Sequence, residues 1–249
     1  MTDVAGSLWQ RLLAGFALSP VPQVTTLELM VVMALATALS LPRASWRYFG
    51  LLATVTHELG HAFAALMTGQ RLGGIRLSLD HSGTTTTYSR GRFPAIWSTF
   101  WGYPVPGVVG AVMVWCGFNG WGPAAMSVGT LTLLASFLFI RNAMGLLITS
   151  AAVLGCALLV LFVPPEFTGH VVISLGLALL VAAVRDLAKL SNVHLRRRDK
   201  LPTSDAHLLY RATSVPSAVW ILLFAAVVAG SWWTAWQPMA EVLAAGRTQ

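Results

Sequence analysis

The sequence His57-Glu58-Leu59-Gly60-His61 lies inside residues 48–67, an apolar stretch with no Lys, Arg or Asp. This placement constrains the chain more than any other feature. On a helix His57 and His61 are one turn apart and share a face, so both imidazoles can reach one ion. Glu58 sits at the edge of that face, where a general base for a metal-held water belongs. Thr54 continues the polar stripe, and Leu52, Val55, Leu59, Phe63 and Leu66 cover the other sides. A histidine or carboxylate exposed to hydrocarbon costs about 2 kcal/mol or more, so the three must face a bundle interior. The bland reading is two bundle-facing histidines beside a glutamate.

Composition says which bundle. Hydrophobic residues make up 56% of the 249 and charged residues 10%, where a soluble domain carries about a quarter charged. The chain is therefore expected to be an all-α polytopic membrane protein. Its net charge of +7 comes from bases in short loops between apolar runs, which suit lipid headgroups and exclude a nucleic-acid partner. Cys116 and Cys156 both lie in apolar runs and read as packing residues.

Read in order, the chain predicts about seven transmembrane helices with a small β-hairpin after the second. Residues 1–24 form an N-terminal segment whose 8–18 stretch reads as an interfacial helix closed by Pro20 and Pro22. The membrane domain spans 25–237, with helices expected at 25–41, 48–67, 94–118, 121–140, 143–163, 168–190 and 215–236; 238–249 is a tail. Within 69–92, Gly73-Gly74, an alternating 75–79, the Ser82-Gly83 turn and the β-branched 84–88 predict the hairpin. It reads either as an ordinary extramembrane hairpin or as a strand edge able to pair with an unfolded peptide. The third helix is interrupted at 102–110 by Pro104, Pro106 and three glycines, a kink or a substrate channel. Residues 191–213 form a polar cytoplasmic segment. Trp232, Trp233 and Trp236 mark an interface belt.

Seven alternating spans would put 13 of the 16 bases on one side, with Arg43, Arg47 and Arg247 opposite. By the positive-inside tendency the rich side is cytoplasmic. The N-terminus is then inside and the histidines lie toward the cytoplasmic face. The hairpin and the 191–213 segment share that face.

A hydrolytic zinc usually takes three protein ligands and leaves one position open. Asp205 is the preferred third, because Thr203 or Ser204 can cap a helix that starts beside it, just before the last span. Asp186 is the alternative, and it could equally pair with Arg185 or Lys189. Asn142, His207 and Tyr103 are candidate oxyanion donors.

These residues resemble the site-2 protease family of intramembrane zinc metallopeptidases. The resemblance rests on the 57–61 motif within a span, Gly73-Gly74 with its hairpin, the 102–110 segment, and Ser204-Asp205-Ala206, and it covers roughly residues 48–220. Many members carry an Asp-Gly pair at the aspartate. This chain has none, and Ser-Asp-Ala is similar to the version in a compact bacterial branch. The resemblance implies Zn2+ on His57, His61 and Asp205, Glu58 as catalytic base, and a membrane-protein or peptide substrate. It also implies a bacterial plasma membrane and a β element at residues 73–88. Two other functions compete: a catalytically inactive zinc-binding membrane protein that holds partners, and a metal transporter. The near absence of polar groups from the fourth, fifth and seventh spans argues against a transport path.

Overall fold

The computed structural model describes residues 2–17, 19–196 and 198–246. Leu18, Arg197, Arg247 and the end of the expected tail lie outside the described residues. The chain is mostly helical, at 77%.

Helix α1 (Thr2–Ala14) overlaps the expected 8–18 helix but starts and ends earlier. Its Leu12 is buried, and Arg11 donates to the Val160 carbonyl of α7 (Ala143–Phe162). Helix α2 (Thr26–Ser40) begins with a capping box: the Thr25 amide donates to Glu28, and the Glu28 amide donates back to the Thr25 hydroxyl. Glu28 is thus held by the helix start.

After Pro42 the chain turns by 87° into α3 (Arg43–Met67), which carries the histidines. The corner is pinned from α8 (Pro165–Arg196). Arg185 donates to the carbonyls of Ser40 and Leu41, and its guanidinium lies 3.9 Å over the Trp46 ring. A guanidinium at a helix C-terminus satisfies carbonyls that have no partner in their own helix.

The expectation of seven full spans is not confirmed. Among the described residues three helices are long and apolar enough to cross a bilayer: α7, α8 and α10 (Ser217–Ala245). At most five spans result if two bent pairs each count as one. The first pair is α2 with α3. The second is α4 (Arg92–Phe100) with α5 (Pro104–Phe118), bent by 56° at the interruption expected from its glycines and prolines. Helix α6 (Gly122–Ser136) has only 15 residues, about 22 Å of rise against a hydrocarbon core of about 30 Å. Helix α10 runs past Trp236 into the stretch read as a tail.

Arg185 sits on the α2–α3 corner that also carries Arg43 and Arg47, so these three bases are not divided between opposite sides. Large exposed apolar residues such as Leu138, Leu147, Leu154, Phe162, Leu222 and Trp233 form the lipid-facing surface expected of an integral membrane protein.

Helices α5 and α8 cross closely and antiparallel. A Cβ on Gly110 would come within 2.6 Å of the Gly176 carbonyl, and one on Gly176 equally near the Gly110 carbonyl. Gly117 and Gly169 repeat this one heptad along, at 2.8 and 2.9 Å. Small residues let backbones approach where lipid offers no hydrophobic drive for association. Around this crossing Leu29, Val32, Ala53, Val114, Ile173 and Leu180 form the main core.

The hairpin is packed into the fold rather than free-standing. Strands β1 (Arg71–Leu77) and β2 (Gly83–Tyr88) pair antiparallel, with a bulge between Leu72 and Gly74. They lie back along α3, so the tip residue His81 shares a hydrogen bond with the Arg47 carbonyl. Ile75 and Leu77 are buried with Val55, Ala62, Leu133 and Ile148, in a second core formed by α3, α6 and α7. The tip is closed by the Ser82 hydroxyl and amide on Asp80, which hold that carboxyl below its ordinary range.

On its far edge β1 meets the α6–α7 connection. The Ile75 amide donates to Phe139, the Arg141 amide donates to Ile75, and Ile140 pairs with Ile75 in parallel. The sequence shows only a turn there.

Candidate metal centre

Helix α3 presents His57 and His61 one turn apart, with Glu58 between them. The two Nε2 atoms are 3.1 Å apart. His61 Nδ1 lies 2.8 Å from the Ser98 carbonyl of α4. A carbonyl can only accept, so Nδ1 carries the proton and Nε2 is left as an acceptor. Ligating histidines are usually oriented by such a second hydrogen bond.

The third group arrives from α9 (Asp205–Thr213). Ser204 caps this helix and accepts from the His207 amide, so of the two caps considered it is Ser204 that serves. Beyond Asp205, Ala206 and Leu209 are fully buried against Leu190 and Phe224. This docking sets Asp205 Oδ2 at 3.4 Å from His57 Nε2 and 3.3 Å from His61 Nε2. His57, His61 and Asp205 form the one group of His, Cys, Asp or Glu side chains among the described residues that could hold a metal ion. Asp186, on α8, does not join it, and Arg185 caps α2 instead of pairing with Asp186. His170 lies with Glu28, 3.8 Å away, and takes no part.

The fit to a metal can be judged from these distances. Donors about 2.0–2.1 Å from a tetrahedral zinc are separated from one another by about 3.3 Å. The observed triangle of 3.1, 3.3 and 3.4 Å has those edges. Two imidazoles and a carboxylate are a donor set that zinc accepts.

The break between α4 and α5 makes room for the cluster. A Cβ on Gly102 would collide with the His61 ring and come within 2.8 Å of His57 Nε2. A Cβ on Gly60 would strike the Trp101 carbonyl and Val105. The paired glycines let α3 sit against the break, which serves the site as a close-packed corner. Tyr103 follows, with its ring edge-on to His57 at 4.7 Å and stacked on Phe224 at 5.4 Å.

Glu58 is buried at 4% relative exposure. The Thr85 hydroxyl of β2 lies 2.6 Å from Glu58 Oε2. The sequence alone gave no sign of this partner. Of the three candidate oxyanion donors, Asn142 is engaged elsewhere: its amide donates to the Leu77 carbonyl and accepts from the Leu77 amide. The His207 ring lies by Tyr210. Tyr103 alone borders the cluster.

Fold and site together define an integral membrane protein with a His-His-Asp cluster able to hold a metal, built on an H-E-x-x-H helix. The chain belongs to the Peptidase M50B-like family, the site-2 protease family of metallopeptidases, whose model matches residues 30–235. No curated protein and no solved structure matches it.

Proposed function

We propose that this protein is an intramembrane zinc metalloprotease that hydrolyses peptide bonds of membrane-protein segments. The observation that carries this reading is the near-equilateral triangle of His57, His61 and Asp205 acceptor atoms, with the buried Glu58 carboxylate on the intervening turn. Zinc held there supplies Lewis acidity, lowering the pKa of a water and polarising a carbonyl. Glu58 accepts the proton of the attacking water and returns it to the leaving amine. The Tyr103 ring lies edge-on to His57, and its hydroxyl is the proposed donor to the carbonyl oxygen as charge develops. The substrate is locally unwound, since a helix's amides are tied up in its own bonds. Among the described residues strand β2 is paired with β1 alone, and its other edge can receive an extended segment.

Zinc content measured on purified wild type, His57→Ala and Asp205→Ala, beside cleavage by Glu58→Gln, tests the reading. One zinc per wild-type chain, loss in both ligand variants, and a zinc-loaded but inactive Glu58→Gln are expected. Stoichiometric zinc with no cleavage by wild type would favour the inactive, partner-binding alternative. No zinc in any protein sinks both.

A further inference from the structure

The hairpin contacts Glu58 at two points. The single Thr85 hydroxyl proton has two acceptors in reach, Glu58 Oε2 at 2.6 Å and the Glu58 main-chain carbonyl at 3.1 Å, and the shorter contact goes to the carboxylate. Two residues earlier, a Cβ on Gly83 would overlap the same carboxylate. Gly83, Thr85 and Thr87 are the half-buried members of an alternating strand, while Thr84, Thr86 and Tyr88 are exposed. A one-residue slip of β2 would therefore carry the Thr85 hydroxyl to the wrong face.

That register is fixed from the other side of the sheet. Thr85 pairs with Ile75, and Ile75 is held by the main chain of Phe139 and Arg141. Two residues on, the Asn142 amide takes both main-chain groups of Leu77, at 2.8 and 3.1 Å, as a neighbouring strand would. The connection leads without interruption from α7 through β1 and β2 to the carboxylate.

We propose that Thr85 is a positioning residue for Glu58, and that the hairpin, locked by Asn142, sets the direction in which that carboxylate points. This rests on Glu58 being the base of the proposed hydrolase. A carboxylate on a flexible three-carbon side chain has several rotamers, and a misplacement of about 1 Å costs up to roughly 100-fold in rate. The hydroxyl on Oε2 and the close approach of Gly83 to Oε1 together select one rotamer.

The test joins melting and turnover in the full chain in detergent. Thr85→Val keeps the β-branched shape and removes the donor; Thr85→Ser keeps the donor. Melting temperatures of wild type, Thr85→Val, Glu58→Ala and the double variant form a cycle that needs no activity. Non-additivity of roughly 3–6 °C is expected for a charge-assisted hydrogen bond in a chain of this size. Turnover is followed on one peptide taken from a synthetic apolar library that wild type cuts. Thr85→Val should lower kcat roughly 10–100-fold with KM and zinc content unchanged, and Thr85→Ser should restore it. Additive melting, or an unchanged kcat in Thr85→Val beside an inactive Glu58→Gln, overturns the proposal while sparing the hydrolase reading. Equal turnover by Glu58→Gln and wild type removes the base itself, whatever the melting cycle shows.

Discussion

The Ser98 carbonyl accepts from His61 Nδ1 at 2.8 Å, so a main-chain atom of α4 decides which nitrogen of an α3 histidine faces Asp205. The orientation of the ring therefore depends on how closely α3 can approach α4 and the break after it. Gly102 sets that approach. Gly102→Ala should push both imidazoles off their positions and weaken zinc binding by at least about tenfold. Competition with a chromophoric chelator measures this, and circular dichroism should show the helices intact.

Tyr103→Phe isolates a phenol hydroxyl beside the cluster while keeping the ring stack on Phe224. Loss of one donor to a developing oxyanion costs about 100-fold or more in kcat. Zinc content and KM should stay at wild-type values. A kcat within twofold of wild type would take Tyr103 out of the chemistry.

Asn142→Ala leaves the Leu77 amide and carbonyl without their partner. The expected loss is about 1–3 kcal/mol for exposing or orphaning these groups, read as a lowered melting temperature. Turnover should fall with it, because β2 is anchored through β1. Asn142→Asp should not rescue the variant, since a carboxylate cannot donate to the Leu77 carbonyl.

Arg185→Ala removes the cap on Ser40 and Leu41 and the stack on Trp46. It should destabilise the α2–α3 corner by about 1–3 kcal/mol. Arg185→Lys should recover only part of this, because an ammonium offers no planar face to the indole. Thermal melting in detergent of the three proteins decides this.

Chelation should lower the melting temperature of wild type and leave Asp205→Ala unmoved. A ligand that binds only the folded state stabilises it by about 2.7 kcal/mol at a hundredfold excess over Kd. Adding back zinc should restore wild type alone.

These expectations draw on features of unequal legibility. His57 and His61 could be paired from the sequence because a helix fixes what lies one turn away. Asp205 could be reached because a Ser-Asp step before an apolar run marks a helix start, and Ser204 is that cap. Gly73-Gly74 and the run of threonines announced the hairpin, and the prolines at 104 and 106 announced the break. The remaining features depend on contacts between distant backbone segments. Nothing local to Pro42 and Arg43 states an angle of 87°, which comes from Arg185 reaching across from α8. With that corner unseen, counting apolar runs gave seven spans where the described helices give three to five, and set Arg43 and Arg47 apart from Arg185. The pairing of residues 139–142 with β1 uses main-chain groups, which any sequence carries. Thr85 is one threonine in a row of four, and only the register of the strand singles it out.

The carboxylate that joins the His57–His61 pair sits on α9, which follows α3, the hairpin and α8 along the chain. A chain that has folded only as far as α8 still lacks the third member of this group. On the proposed reading, the centre is assembled only once α9 docks on Leu190 and Phe224, so hydrolysis waits on that docking.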